Sequence, residues 1–515
     1  MAATYANAAD EPLKGGAMLL AGFLLAIGNF MVVLDMTIAN VSVPSIAGGL
    51  AVAPNQGAWV ITSYSVAEAI VVPLTGWLSS RFGAVRVFVL GMIGFGICSA
   101  LCGLAPSLGF LVLFRVMQGV CGGPIMPMSQ TLMVRVFPPH QRSQAMGLWS
   151  MTTVVAPIAG PILGGVLCDQ AGWPWVFLIN VPVAALCAFF AWRVLAHHET
   201  PTERRPVDFV GLVLLITSVG ALQIMLDKGK ELDWFGSPLI VALAVVAAIG
   251  LVSFLIWEIT DEHPIVDLKV FRHRGFTGAV ITNALTFGTF FATILIGPLW
   301  LQTNMGYTAT QAGLTTALGG VLAVVMSPIV PRLMQRFDPR ALVTFGVAGL
   351  GGIALLRSHF ASNADYWTIA STYLAQGFVI PFFFVPTTQI ALSSVTPAET
   401  ASAAGLSNFL RTTSAAFSGA IILTLWDSAS SRNHANIAGA LNDTARVQAT
   451  LTHAGMTHAQ ALAQLDNMTQ SQAVMLAADQ MFLLMTLCFL IAAGVVWLAP
   501  QPKLFAGQAA TAGGH

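Results

Sequence analysis

Leu34-Asp35-Met36-Thr37-Ile38-Ala39-Asn40 places an acid at the end of an apolar run that is long enough to cross a bilayer. The 20 residues 15–34 carry no charge, and after Asp35 the next charged residue is Glu68. A carboxylate near the centre of a membrane helix costs roughly 2.5–3.5 kcal/mol on insertion scales. Such residues usually face a cavity or a partner and tend to be functional. Two readings stand open: a working intramembrane carboxylate, or an acid that lies near the membrane surface.

The composition agrees with a polytopic membrane protein. Of 515 residues, 56% are hydrophobic and 9% charged, against roughly 25% charged in a soluble domain. The formal net charge is zero, which argues against nucleic acid as a partner. The six cysteines lie in or beside apolar runs without metal-ligand spacing and read as small packing residues. The first apolar run lacks a basic leader and a cleavage site, so it reads as a retained helix.

Apolar runs of spanning length occur near 16–38, 57–79, 85–105, 109–131, 143–167, 174–195, 207–226, 237–257, 276–302, 311–331, 341–357, 366–393, 402–425 and 479–499, which predicts fourteen membrane helices. With the N-terminus inside, fifteen of the 22 lysines and arginines fall on the inner side, among them Arg204, Arg205 and Lys503. Five, including Arg357, fall outside, and Arg115 and Arg411 lie within helices. That asymmetry follows the positive-inside rule and puts both termini in the cytoplasm.

An internal repeat runs through these helices. Arg115-Val-Met-Gln118-Gly119 is echoed 258 residues later by Tyr373-Leu-Ala-Gln376-Gly377, and Pro139 and Gly147 meet Pro397 and Gly405 at the same offset. Two related six-helix halves point to a repeat-built transporter, with helices seven and eight inserted between them. The expected division is a cytoplasmic N-terminus (1–15), an N-terminal six-helix bundle (16–195), an inserted pair with its flanking loops (196–274), a C-terminal bundle (275–500) and a cytoplasmic tail (501–515). The C-terminal bundle includes an outer loop, 427–478, whose helical periodicity is weak over 441–465, although 459–476 could form short helices; it reads either as a solvated linker or as a docking surface. Its histidines lack metal-ligand spacing.

Three further stretches carry chemistry. Gly76-Trp-Leu-Ser-Ser80-Arg81-Phe-Gly83-Ala-Val-Arg86 joins helices two and three at the inner face. Arg115-Val-Met-Gln118-Gly119 lies on helix four, and its depth matches that of Asp35, so a charge pair is possible; the alternative is that Arg115 snorkels outward. Ala156-Pro157-Ile-Ala-Gly160-Pro161-Ile-Leu-Gly164-Gly165 loosens helix five with prolines and admits a close neighbour at its glycines. Glu68 falls near the middle of helix two, as a second titrating group or a structural acid. Polar or aromatic residues at Asn29, Thr37, Asn40, Tyr64, Gln118, Gln376, Asn408 and Arg411 are candidates for lining a substrate cavity.

These stretches resemble the major facilitator superfamily. The inner-loop stretch is similar to its loop signature, except that Ser80 stands where an aspartate is usual; this puts a charge-based gate through Gly76, Arg81, Gly83 and Arg86 in doubt. The helix-five stretch resembles the antiporter motif of its proton-driven exporters. The opening stretch and the tryptophan-rich run Gly172-Trp173-Pro-Trp175 resemble the fourteen-span drug:proton antiporter branch, most nearly the EmrB-type permeases, over about residues 15–500. The resemblance implies an all-α integral membrane protein with the major facilitator fold: two six-helix bundles plus an inserted pair. It implies export of lipophilic drug-like compounds against protons, with proton coupling through Asp35, Arg115 and Glu68. It also implies a bacterial inner-membrane location, no cofactor beyond the proton gradient, and a periplasmic membrane-fusion adaptor with an outer-membrane channel as partners. No phosphate-binding loop is present, and no nucleophile–base or metal constellation marks an enzyme. An inward nutrient facilitator or proton symporter and a non-transporting sensor of the same fold remain the alternatives.

Overall fold

A computed structural model of the chain describes residues 13–203, 206–360, 364–440 and 444–500. The 501–515 tail, most of the N-terminal segment, Arg204, Arg205 and Lys503 lie outside the described residues. In a bilayer every backbone N–H and C=O must pair within the protein, so apolar runs of this length fold as helices. They are α1 (Gly15–Gly49), α2 (Trp59–Phe82), α3 (Ala84–Gly103), α4 (Leu108–Val136), α5 (Arg142–Gln170), α6 (Trp175–His198) and α7 (Phe209–Lys228). There follow α8 (Pro238–Thr260), α9 (Arg274–Thr303), α10 (Ala309–Met326), α11 (Pro339–Arg357), α12 (Tyr366–Ser393), α13 (Thr400–Ala440) and α14 (His458–Leu498).

Among the described residues, twelve helices are long and apolar enough to cross a membrane. The two parts of α5, Arg142–Pro157 and Ala159–Gln170, meet at a 44° bend and make a thirteenth when taken together. The apolar part of α10, Thr310–Met326, is shorter. The bend in α5 falls at Pro157, which cannot donate to the helix ladder. Each of the fourteen expected runs therefore falls on a helix, but the apolar length of α10 falls short of a full span.

The packing repeats. α1 lies against α4, α5 and α6; α2 and α3 lie against α4; α3 lies against α6. α9 lies against α12, α13 and α14; α10 and α11 lie against α12; α11 lies against α14. The second set is the first with eight added to each helix number. The repeat reaches single residues. Gly119 of α4 lies against the Tyr64 backbone of α2, and Gly377 of α12, 258 positions on, lies against the Gly319 backbone of α10. Between the two sets, α5 meets α10 and α12, and α13 meets α2 and α4. α7 packs on α8 and touches α2 and α13.

One expectation changes: the 427–478 segment, expected as an outer loop with short helices over 459–476 at most, is largely helical. α13 runs on to Ala440, α14 starts at His458, and a short helix, Thr444–His453, lies between them. At 41 residues each, α13 and α14 are about 60 Å long, twice the roughly 30 Å hydrocarbon core. Their polar ends pair through His434 Nε2 and Asp466 Oδ1 at 3.0 Å. A capping box of Thr457 and Gln460 starts α14. Arg357 stands in the last turn of α11, at the end expected on the outer side, and is buried there; its Nε donates to Thr372 Oγ1 at 3.0 Å, and its guanidinium lies 4.0 Å from the Tyr373 ring centroid.

Because a side chain at Gly377 would run into the Gly319 backbone, Gly377→Leu should separate α10 from α12. Overpacking of this kind costs about 1–3 kcal/mol, so the apparent Tm of purified protein should fall, as read by thermal unfolding in detergent. An unchanged Tm would contradict the close α10–α12 approach.

Candidate functional site

Asp35 and Arg115 meet as expected. Arg115 Nη1 donates to Asp35 Oδ2 at 2.6 Å, and both residues are fully buried. Arg115 therefore does not snorkel, and Asp35 is shielded from solvent inside the bundle. Asp35 Oδ1 accepts from Gln118 Nε2 at 3.1 Å and from Asn180 Nδ2 at 2.7 Å. Arg115 Nη1 also donates to Gln118 Oε1 at 2.9 Å, and its Nε donates to the Val60 carbonyl at 3.0 Å. The guanidinium stacks 4.2 Å from the Tyr64 ring centroid and 5.5 Å from that of Phe177. Asn180 Nδ2 reaches Ser99 Oγ as well, at 3.2 Å. One network thus ties α1, α2, α3, α4 and α6 together.

Helix geometry explains this convergence. Arg115 and Gln118 are three residues apart on α4 and so share a face. α1 and α4 pass each other at the depth where Asp35 and Arg115 stand. Asn180 and Ser99 are the members that sequence reasoning missed. An amide inside the apolar run 174–195 is the available signal.

Glu68 is a separate group. It is buried on α2, and no described residue donates a hydrogen bond to its carboxylate. Arg411 of α13, in the opposite bundle, is among the charged groups in its surroundings, with Arg115 and Asp35. Arg411 is buried among aromatic rings: Phe287 at 5.1 Å, Phe384 at 5.6 Å and Trp149 at 5.8 Å. Its Nη2 lies against Met126 Sδ, and its Nε has no hydrogen-bond partner. One turn away, Asn408 Nδ2 donates to Gln130 Oε1 across the bundle seam at 2.7 Å. The seam therefore holds an acid, a cation and polarizable walls.

The other cavity candidates divide. Asn29 Nδ2 bonds Thr152 and Thr153 of α5, both at 2.8 Å. Thr37 Oγ1 bonds the Val33 and Leu34 carbonyls and lies against Gly160. These two hold α1 to α5. Asn40 is exposed and joins neither cluster. Gln376 Nε2 reaches Thr293 Oγ1 at 3.5 Å, and this pair repeats Gln118 and Asp35 at the 258-residue offset. Of the helix-five motif, Gly160 and Gly164 take α1 close against them, whereas Gly165 faces open space and Pro161 is exposed. Pro157 stands at the bend.

The α2–α3 turn has a carboxylate despite Ser80. Glu199, following α6, accepts from the Val85 N–H at 2.9 Å and the Arg86 N–H at 3.0 Å, and its Oε2 lies 3.9 Å from Arg86 Nε. It sits against Gly83, whose φ of +91° suits glycine. Glu199 therefore caps α3 from the segment that follows α6. Arg81 packs over Trp77 and Phe82. At this same arginine-rich end the bundles close on each other. Gly76 lies against Ser402, Gly405 against Val72 and Thr75, and Gly147 against Ser327 and Pro331.

A repeated six-helix unit with a buried ion pair inside one unit defines a membrane transporter built from repeats. The sequence matches the Major Facilitator Superfamily over residues 25–419, and the chain belongs to that family. It is 42% identical over 498 residues to the multidrug export protein EmrB of Escherichia coli (strain K12), covering 96% of this chain and 97% of the relative. It is 41% identical over 511 residues to the fatty acid resistance protein FarB of Neisseria gonorrhoeae, covering 98% and 99%. Among solved structures it shares the fold of the human organic anion transporter MFSD10, with a TM-score of 0.59 at 15% identity, covering 94% of this chain and 100% of the other. It also shares the fold of the proton:xylose symporter XylE, with a TM-score of 0.58 at 14% identity, covering 94% and 96%.

Leaving one member of a buried ion pair alone costs about 3–5 kcal/mol. Asp35→Asn and Arg115→Gln should each lower the apparent Tm. The double variant should lose less than the sum of the two, because it buries no lone charge. Additive losses in this double-mutant cycle would show that the pair is not coupled.

Proposed function

We propose that this protein is a proton-coupled multidrug exporter that works by alternating access between its two bundles. The observation that carries the reading is the Asp35–Arg115 pair, a titratable acid sealed at the meeting point of five helices. Near full-length likeness to multidrug export proteins supports the substrate class. The arginine-rich end is cytoplasmic by the positive-inside rule, which puts both termini inside a bacterial inner membrane. Closure at that end then corresponds to a state that faces away from the cytoplasm.

Protonation removes the Asp35 charge that compensates Arg115, so the network must rearrange. α1 transmits the change to α5 through Thr37 against Gly160 and Asn29 against Thr152 and Thr153. α5 in turn meets α10 and α12 of the other bundle. Cargo binds at the seam near Glu68 and Arg411, where Trp149, Phe287 and Phe384 accept lipophilic shapes. The energy comes from the proton gradient, with no bound cofactor.

The test is transport of a fluorescent lipophilic drug by proteoliposomes under an imposed pH gradient. Asp35→Asn should lose gradient-driven transport by at least about tenfold, equivalent to about 1.4 kcal/mol, while still binding drug. Full gradient-driven activity in the variant would remove Asp35 from coupling.

The reading extends to a periplasmic membrane-fusion adaptor and an outer-membrane channel, with the polar ends of α13 and α14 as the adaptor's docking surface. Replacing 427–478 by a short linker should leave a monodisperse transporter that no longer co-purifies with the adaptor. Unchanged co-purification would refute this docking site.

A further inference from the structure

A groove of about 880 Å³ runs between α3 and α6, outside the seam and the Asp35 network. Its floor is small: Gly96, Ala184 and Ala188 let the two helices approach closely. Its walls are apolar, with Leu90, Ile93 and Ile97 exposed on the α3 side. Both charged lining residues, Arg86 and Arg193, stand at one end, and no acidic side chain lines the groove. Arg86 is in the first turn of α3 and Arg193 in the last turn of α6, so both lie at the arginine-rich end.

We infer that this groove is a binding site for an anionic phospholipid, its acyl chains along α3 and α6 and its phosphate between Arg86 and Arg193. The shape and the charge agree: an apolar trough with two cations at a single end matches one lipid of one leaflet. Both guanidiniums are available. The Arg86 side chain is 57% exposed and has only a 3.9 Å approach to Glu199, whose oxygens are already held by backbone N–H groups. Arg193 stacks 5.5 Å from the Phe189 ring centroid and has no acidic partner among the described residues. Trp192 is exposed beside Arg193 at the same end of the groove, and tryptophan is enriched at membrane interfaces. Basic pockets between membrane helices favour anionic headgroups. A second copy of the chain fits less well, because a two-fold face-to-face contact would bring identical arginines together at one depth. The inference goes beyond the transport reading and stands whichever way the cargo moves.

Trp192 gives a direct readout. The full chain is reconstituted in vesicles of equal parts phosphatidylglycerol and phosphatidylcholine, with bromine on the acyl chains of one lipid or the other. Subtracting the Trp192→Phe signal isolates quenching at the groove. Brominated phosphatidylglycerol should quench Trp192 in preference to brominated phosphatidylcholine, with about fivefold in relative affinity for each arginine. R86Q/R193Q should abolish the preference and leave equal quenching, and Ala185→Phe should reduce quenching by both lipids. Equal quenching in the wild type would overturn the site and mark ordinary bilayer contact. A preference that persists in R86Q/R193Q would overturn it as well. Absence of quenching by either lipid, with a dimer in solution, would assign the groove to a second copy instead.

Discussion

The ion pair between Asp35 and Arg115 is the constraint on which the N-terminal half depends. Neither charge can stay unpaired away from water, and each carboxylate oxygen needs donors of its own. Five helices supply these groups: Tyr64 and the Val60 carbonyl from α2, Ser99 from α3, Gln118 from α4, and Asn180 from α6, around Asp35 on α1. The network is therefore a specification of helix order as well as a chemical site. A bundle assembled with any of these helices elsewhere would bury an unsatisfied polar group.

The second half keeps the scaffold and discards the charge pair. At the 258-residue offset Thr293 stands for Asp35, Tyr373 for Arg115, and Gln376 for Gln118. A buried arginine does remain, but Arg357 comes from α11, at the position that corresponds to Ser99 of α3. The cation has moved to a neighbouring helix and found an aromatic ring in place of a carboxylate. Equivalent backbones thus carry an acid–base pair in one half and a cation over a tyrosine in the other. The buried carboxylate belongs to the first half alone at this position.

Much of this was legible from the residues. Apolar run length located the helices, and matching depths on antiparallel helices paired Asp35 with Arg115. The repeat offset was readable because the Gln-Gly pair survives in both halves, where glycine is needed for the α2–α4 and α10–α12 approaches. What escaped notice has physical causes. Glu199 reaches Gly83 and Arg86 from more than a hundred residues away, so no local motif could show the carboxylate at this turn. The start of α14 was legible as short helices over 459–476, but the weak apolar periodicity before it hid the continuation of α13 to Ala440. Asn40 was drawn in by its nearness to Asp35 along the chain, but it lies five residues on, past the buried face.

The unbroken course of α13 has a mechanical consequence. One continuous helix, 41 residues long, runs from the closed seam at Gly405 to the polar tip, and its outer part is braced by Lys230 to Asp427 at 2.7 Å and Trp234 to Thr424 at 2.9 Å. Such a helix is a stiff lever about 60 Å long. A rotation of about ten degrees at its inner end would sweep the far tip through on the order of 10 Å. Whatever grips that tip would feel each turnover as a displacement, and whatever holds it still would stall the cycle from outside the membrane.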